Sequence, residues 1–161
     1  MNKAFVFDFD DTLCKTFARI NVLRNNELLK LSSEEFAEFK GQENDEFCFE
    51  EFKMSEHIQN GIMLGISEFA KVVANEGHSV YVLSARSSVV KWAIQNKLEG
   101  YGIKVVEVFT VGDKGLNIAQ YKEDVLVKLI EKHSQVYFYD DDKRNIDKLS
   151  NLNVKAKLVR N

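Results

Sequence analysis

Residues 5–13 read Phe-Val-Phe-Asp-Phe-Asp-Asp-Thr-Leu. The apolar run from Ala4 to Phe7 has the length and composition of a buried strand. It ends in two carboxylates, Asp8 and Asp10, spaced i and i+2. Side chains alternate along a strand, so these two start out on one face. Close carboxylates repel each other unless a cation or a proton lies between them. An apolar strand does not end this way for stability. The arrangement points to a divalent metal or to acid–base chemistry at the strand's carboxyl end, where open α/β sheets bind ligands.

Downstream, strand-like and helix-like patterns alternate. Ile58, Ile62, Ile66, Phe69 and Val73 predict one helix ending near Gly77, followed by a strand over 79–83. Val90, Ile94 and Leu98 predict a helix, 104–109 a strand, and Val125, Leu126, Leu129 and Ile130 another helix. Residues 135–139 read as a strand, Ile146 and Leu149 as part of a short helix, and 154–159 as a last strand. Such alternation means βαβ units and a parallel sheet flanked by helices, an α/β Rossmann-like fold. At 161 residues, one domain spanning 1–161 is expected. Within it, about 15–60 reads as a small helical insert after the first strand. Phe17, Ile20, Leu23, Leu28 and Leu31 have helical spacing, and Ser32-Ser33-Glu34-Glu35 is a capping box opening a second helix. Phe47, Phe49 and Phe52 read as a small local core, with a substrate-facing aromatic patch as the sharper alternative.

Charge is unevenly spread. The chain is −3 overall, but residues 27–56 hold ten Asp/Glu against three lysines, which makes that segment −7 and the remainder +4. A phosphate-bearing substrate should meet the +4 part. No apolar run reaches about 18 residues, so no membrane span is expected. The N-terminus runs straight into the first strand, without a signal peptide, and Cys14 and Cys48 lack metal-type spacing. They read as reduced thiols of a cytoplasmic protein. No obligate protein partner is evident.

Two further strand ends carry polar residues. The strand over 79–83 runs into Ser84-Ala85-Arg86, and the one over 135–139 into Asp140-Asp141-Asp142; between them Lys122 opens a helix. Together with Asp8, Asp10 and Thr12, this order resembles the haloacid dehalogenase superfamily of phosphohydrolases over nearly the whole chain. The fixed residues of Asp-x-Asp-x-Thr recur by chance at about 10⁻⁴ per position, so one copy in 161 residues is a strong signal. Ser84 and Lys122 are weak signals singly, and the paired Asp140-Asp141 is moderately strong.

The resemblance implies roles. Asp8 would attack phosphorus and form an aspartyl-phosphate. Asp10 would protonate the leaving oxygen and later deprotonate water, holding a proton at neutral pH because carboxylates crowd it. Mg²⁺ would join Asp8, the backbone carbonyl of Asp10 and Asp140, with Asp141 binding through water or orienting the others. Ser84 and the backbone beside Ala85 would hydrogen-bond a phosphoryl oxygen. Thr12 and Arg86 are candidates for substrate contact, though Thr12 also reads as a loop-building residue and Arg86 as a structural one. Lys122 would offset transition-state charge; Lys114 and Lys128 compete for that role.

Asp11 and Asp142 read as turn or cap residues, Trp92 as core, and His57, His78 and His133 as structural. The expected activity is Mg²⁺-dependent phosphomonoester hydrolysis on a nucleotide or a nucleic-acid phosphate end. The alternatives are a sugar-phosphate phosphatase and a non-catalytic module on the same fold. The layout also resembles the 3′-phosphatase domain of polynucleotide kinase-phosphatases. Lys15, Arg19 and Arg24, early in the insert, are candidate phosphate contacts.

Overall fold

Strand β1 (Ala4–Phe7) is apolar throughout and buried at every position. The structure is a computed structural model describing residues 2–160. Small elements follow β1: β2 (Cys14–Lys15), β3 (Ile20–Arg24), β4 (Glu27–Leu31), helix α1 (Ser33–Glu38), β5 (Glu46–Cys48), a 3₁₀ turn at Glu50–Lys53, α2 (Ser55–Gln59) and β6 (Ile62–Met63). A regular alternation then runs through α3 (Ile66–Asn75), β7 (Ser79–Ser84), α4 (Lys91–Tyr101), β8 (Glu107–Thr110), α5 (Ile118–Ile130), β9 (Val136–Asp140), α6 (Lys143–Asp147) and β10 (Lys155–Leu158).

The central sheet has the order β10-β9-β1-β7-β8, and every pairing in it is parallel. Period-two alternation sorts its side chains into two cores. Phe5, Phe7, Val80 and Val82 pack with Ala70 and Val73 of α3 and Ile94 and Leu98 of α4. Ala4, Val6, Leu83, Val136 and Phe138 pack on the other side with Val125, Leu126 and Leu129 of α5. Burying each of these large side chains contributes about 1.5–3 kcal/mol. Cross-strand rings lock the register, with Phe5 stacked on Tyr137 at 4.8 Å and Phe7 on Tyr139 at 4.9 Å. Among the described residues, no helix is long and apolar enough to cross a membrane.

Three expectations are corrected, the first of them in the insert. Residues 20–31 are an antiparallel hairpin, not a helix: β3 pairs with β4 on one side and β5 on the other. Its turn is Asn25-Asn26, both at positive φ (50° and 65°), and asparagine tolerates the left-handed conformation that tight hairpin turns demand. The small insert is therefore built on a three-stranded sheet, with α1 beside it. The Ser32 capping box does form, with reciprocal bonds to Glu35. The single helix expected from 57 to 77 is broken at Gly61, where an added Cβ would lie 2.5 Å from Cys14 Sγ. There β6 pairs with β2, so the chain leaves and re-enters the sheet domain side by side. Trp92 is 49% exposed on α4 and is not a core residue.

Candidate active site

The alternation that builds the α5-facing core continues past the strand ends. Asp8 follows Ala4 and Val6, and Asp140 follows Val136 and Phe138. The register pairs Phe7 with Tyr139, and the Asp8 N–H donates to the Tyr139 carbonyl at 2.9 Å. The two carboxylates thus stand side by side facing α5. Lys122 meets them there, on the same helical stripe as Val125, Leu126 and Leu129. Its Nζ donates to Asp8 Oδ1 at 2.9 Å and to Asp140 Oδ2 at 2.8 Å, and the residue is only 2% exposed. Lys114 and Lys128 are exposed and make no such contact.

Asp8, Asp140 and Asp141 form a cluster in which one oxygen from each lies within 4.8 Å of the others. Burial raises the Asp8 carboxyl well above its ordinary range, with the Asp140 charge adding to the effect and Lys122 opposing it. Asp141 is lifted to about 6, chiefly by burial, with the Asp140 charge adding to it. For Lys122, burial favours the neutral amine, but the flanking Asp140 and Asp8 charges outweigh it and hold the ammonium firmly protonated. If all three carboxylates ionise, they exceed the one ammonium by two negative charges, and the raised Asp8 and Asp141 carboxyls show how strongly the cluster resists that. Asp8, Asp140 and Asp141 are the residues here that could hold a cation, through hard oxygen donors.

Asp10 is turned away from this cluster. Both of its oxygens face Arg86, from Nε to Oδ2 at 2.9 Å and from Nη2 to Oδ1 at 2.7 Å. Thr16 Oγ1 adds a donor at 3.3 Å. The expected crowd of carboxylates around Asp10 is therefore replaced by a guanidinium, because the chain turns sharply after Asp8, with Asp11 at φ 61°. Arg86 also donates from Nη1 to the Phe52 carbonyl at 2.7 Å and lies over the Phe52 ring at 4.7 Å. It is 2% exposed. Its structural role is thus to join Asp10 to the insert.

Ser84 is buried and accepts the Arg86 N–H at 3.0 Å, which shapes the loop after β7; it does not border the cavity described below. Thr12 is likewise buried, its hydroxyl 3.3 Å from both Asp8 Oδ2 and Asp141 Oδ1. It braces the carboxylate cluster rather than the cavity wall. Ala85, Arg86 and Ser87 do border the cavity. Sequence reasoning missed three supports. Asn145, buried in α6, donates to Asp140 Oδ2 at 2.9 Å. Asp113 accepts from the Ser87 hydroxyl at 2.5 Å and the Ser88 N–H at 2.9 Å. Gly112 lies so close to the loop that a Cβ would sit 2.3 Å from the Ala85 carbonyl oxygen. Asp142 caps α6, as expected, through the Arg144 N–H.

A cavity of about 760 Å³ opens above the carboxylates. Asp8, Asp10, Lys122, Asp140 and Asp141 border it from the sheet, and Phe36, Phe47, Phe49 and Phe52 from the insert. The acidic segment 27–56 therefore covers the site, with its aromatic residues toward the cavity. Ser33 of α1 is hydrogen-bonded to Asp11, a second tie between insert and sheet domain. Of the early insert cations, Arg24 is committed to Asp45 at 2.8 Å. None of the three histidines borders the cavity; His78 packs on Phe5, and His133 meets the Tyr81 hydroxyl at 2.9 Å. No known family model and no curated protein matches this chain. The chemistry has to be argued from the site itself.

Proposed function

We propose that the chain is a Mg²⁺-dependent phosphomonoester hydrolase of the haloacid dehalogenase type, acting on a nucleotide or a nucleic-acid phosphate end. One observation carries this reading: Lys122 bridges Asp8 and Asp140 beside Asp141, at the floor of a cavity and at the carboxyl end of the central strand. Ionised together, Asp8, Asp140 and Asp141 exceed the charge of Lys122 by two. A divalent cation and the electrophilic phosphorus of a bound ester suit that site.

Asp8 attacks phosphorus through a carboxylate oxygen, and the bond to the leaving oxygen breaks. Asp10 supplies the proton that the leaving oxygen takes up. Arg86 donates to both Asp10 oxygens and has no acceptor atom, so Asp10 would carry that proton on a lone pair that the guanidinium leaves free. A water then gives its proton back to Asp10 and attacks phosphorus, which frees phosphate and restores Asp8. Lys122 stays charged and offsets negative charge on the transferring group. Mg²⁺, held by Asp8, Asp140 and Asp141, would neutralise charge on the phosphoryl oxygens.

The test is release of inorganic phosphate from nucleoside monophosphates, phosphorylated oligonucleotides and p-nitrophenyl phosphate, with Mg²⁺ and with a chelator. Turnover that the chelator abolishes is expected. No Mg²⁺-dependent release from any of them would contradict the proposal.

A further inference from the structure

The cavity is far larger than one phosphate requires, and its walls are of two kinds. The sheet domain supplies carboxylates and the insert supplies rings. Phe36, Phe47, Phe49 and Phe52 all border it, and none of the four is buried. Phe36 meets Phe47 and Phe49 edge-on at 5.9 and 5.6 Å, so these three rings form one connected patch, while Phe52 lies under Arg86. Leu116 borders the same space from the loop before α5 and is 85% exposed, the most exposed large apolar side chain in the described chain. Apolar side chains that converge on a cavity while still wet mark a surface that a ligand dries.

The charges around the cavity limit that ligand. Four basic side chains border it, and each is already engaged. Lys122 serves Asp8 and Asp140, Arg86 serves Asp10, Lys53 meets Glu50 at 3.2 Å, and Arg144 meets Asp142 at 2.7 Å. Asp11 and Glu50 add acidic lining. Among the described residues that border the cavity, no cation is left over for a second phosphate, so a polyphosphate or an oligonucleotide backbone would meet net negative charge there. The rings belong to the insert and the carboxylates to the sheet domain. The apolar body must therefore be joined to its phosphate through a spacer, as ribose joins a base to its phosphate.

We infer that the substrate is a single nucleoside monophosphate, its base packed among the insert phenylalanines and Leu116, rather than a nucleic-acid end. This rests on the phosphomonoesterase reading but is tested apart from it, by equilibrium binding to an Asp8→Asn variant in Mg²⁺. Titration calorimetry with adenosine 5′- and 3′-monophosphate, ribose 5-phosphate, adenosine 5′-diphosphate and a 3′-phosphorylated oligonucleotide gives the ranking. One of the two adenosine monophosphates should bind at least about tenfold more tightly than ribose 5-phosphate, the scale of one base stacked on aromatic rings. It should also bind more tightly than the diphosphate or the oligonucleotide. Leu116→Ala, at an exposed position that the fold does not need, and Phe47→Ala should each shrink the preference over ribose 5-phosphate. Equal binding of ribose 5-phosphate, tighter binding of the oligonucleotide or the diphosphate, or a preference untouched by both substitutions would overturn the inference. Absence of phosphate release by the unmodified protein would instead count against the hydrolase reading and leave the binding result to decide the pocket.

Discussion

Arg86 holds both carboxylate oxygens of Asp10 with one guanidinium, and with its remaining nitrogen it holds the Phe52 carbonyl of the insert. The residue that positions the proposed acid therefore also fastens the cover over the site. Lysine cannot reproduce a two-pronged grip plus a third bond. Arg86→Lys and Arg86→Gln should lower kcat about ten- to a hundredfold, within the range general acid–base catalysis supplies. An alkyl phosphate, whose leaving oxygen needs a proton, should suffer more than p-nitrophenyl phosphate, whose leaving group does not. An equal loss on both substrates would mean that Arg86 does not act through Asp10.

Lys122 bridges two buried carboxylates, Asp8 and Asp140. Lys122→Met leaves both without it and should cost about 3–5 kcal/mol of stability, besides removing activity. Asp8→Asn takes one charge from the same crowd and should unfold at the same or a higher urea concentration than the unmodified protein. Denaturation curves of both variants check the pair; a milder effect for Lys122→Met than for Asp8→Asn would refute this account of the cluster.

The insert has its own pH dependence. Hydrogen bonds from Arg24 and the Gln42 N–H depress the Asp45 carboxyl from 3.8 to about 2. A depressed carboxyl stabilises the fold fully above its unfolded value, and the contribution disappears as pH falls toward the folded one. The unmodified protein and Asp45→Asn should therefore differ in Tm at pH 5 and above, on the order of a unit clear of 3.8. They should converge as the pH approaches 2. Parallel Tm profiles over that range would show that the pair contributes nothing.

Gly112 lets the loop after β8 lie directly on Ala85 and Arg86. Gly112→Ala puts a methyl group 2.3 Å from a backbone oxygen, which cannot move without moving the loop that presents Arg86. A loss of about 1–3 kcal/mol is expected, with a fall in kcat. An unchanged Tm and unchanged turnover would show that the loop gives way freely.

Much of the sheet domain could be read from alternation. Asp8 and Asp140 extend apolar faces by the period of a strand, and Lys122 shares the period of the apolar stripe on its helix. One-dimensional patterns therefore sufficed to bring these three together. Arg86 was harder: its partners Asp10 and Phe52 lie 76 and 34 positions away, and no period links them. The hairpin over 20–31 escapes such a reading because Phe17, Ile20, Leu23, Leu28 and Leu31 suit a helix as well as two strands. The sign that decided otherwise was Asn25-Asn26, a pair able to take the positive φ of a tight turn. Asn145 offered no pattern, since a buried asparagine in a short helix is recognised only once Asp140 is seen beside it.

The central claim is that Asp8 is the nucleophile, and the most direct measurement looks for the phosphoryl group on it. The protein, mixed with p-nitrophenyl phosphate and Mg²⁺ and quenched in acid, should yield a phosphorylated peptide with the modification on Asp8, absent without Mg²⁺ and absent in Asp8→Asn. Phosphate release that proceeds with no label on Asp8, or that survives Asp8→Asn, would contradict the account.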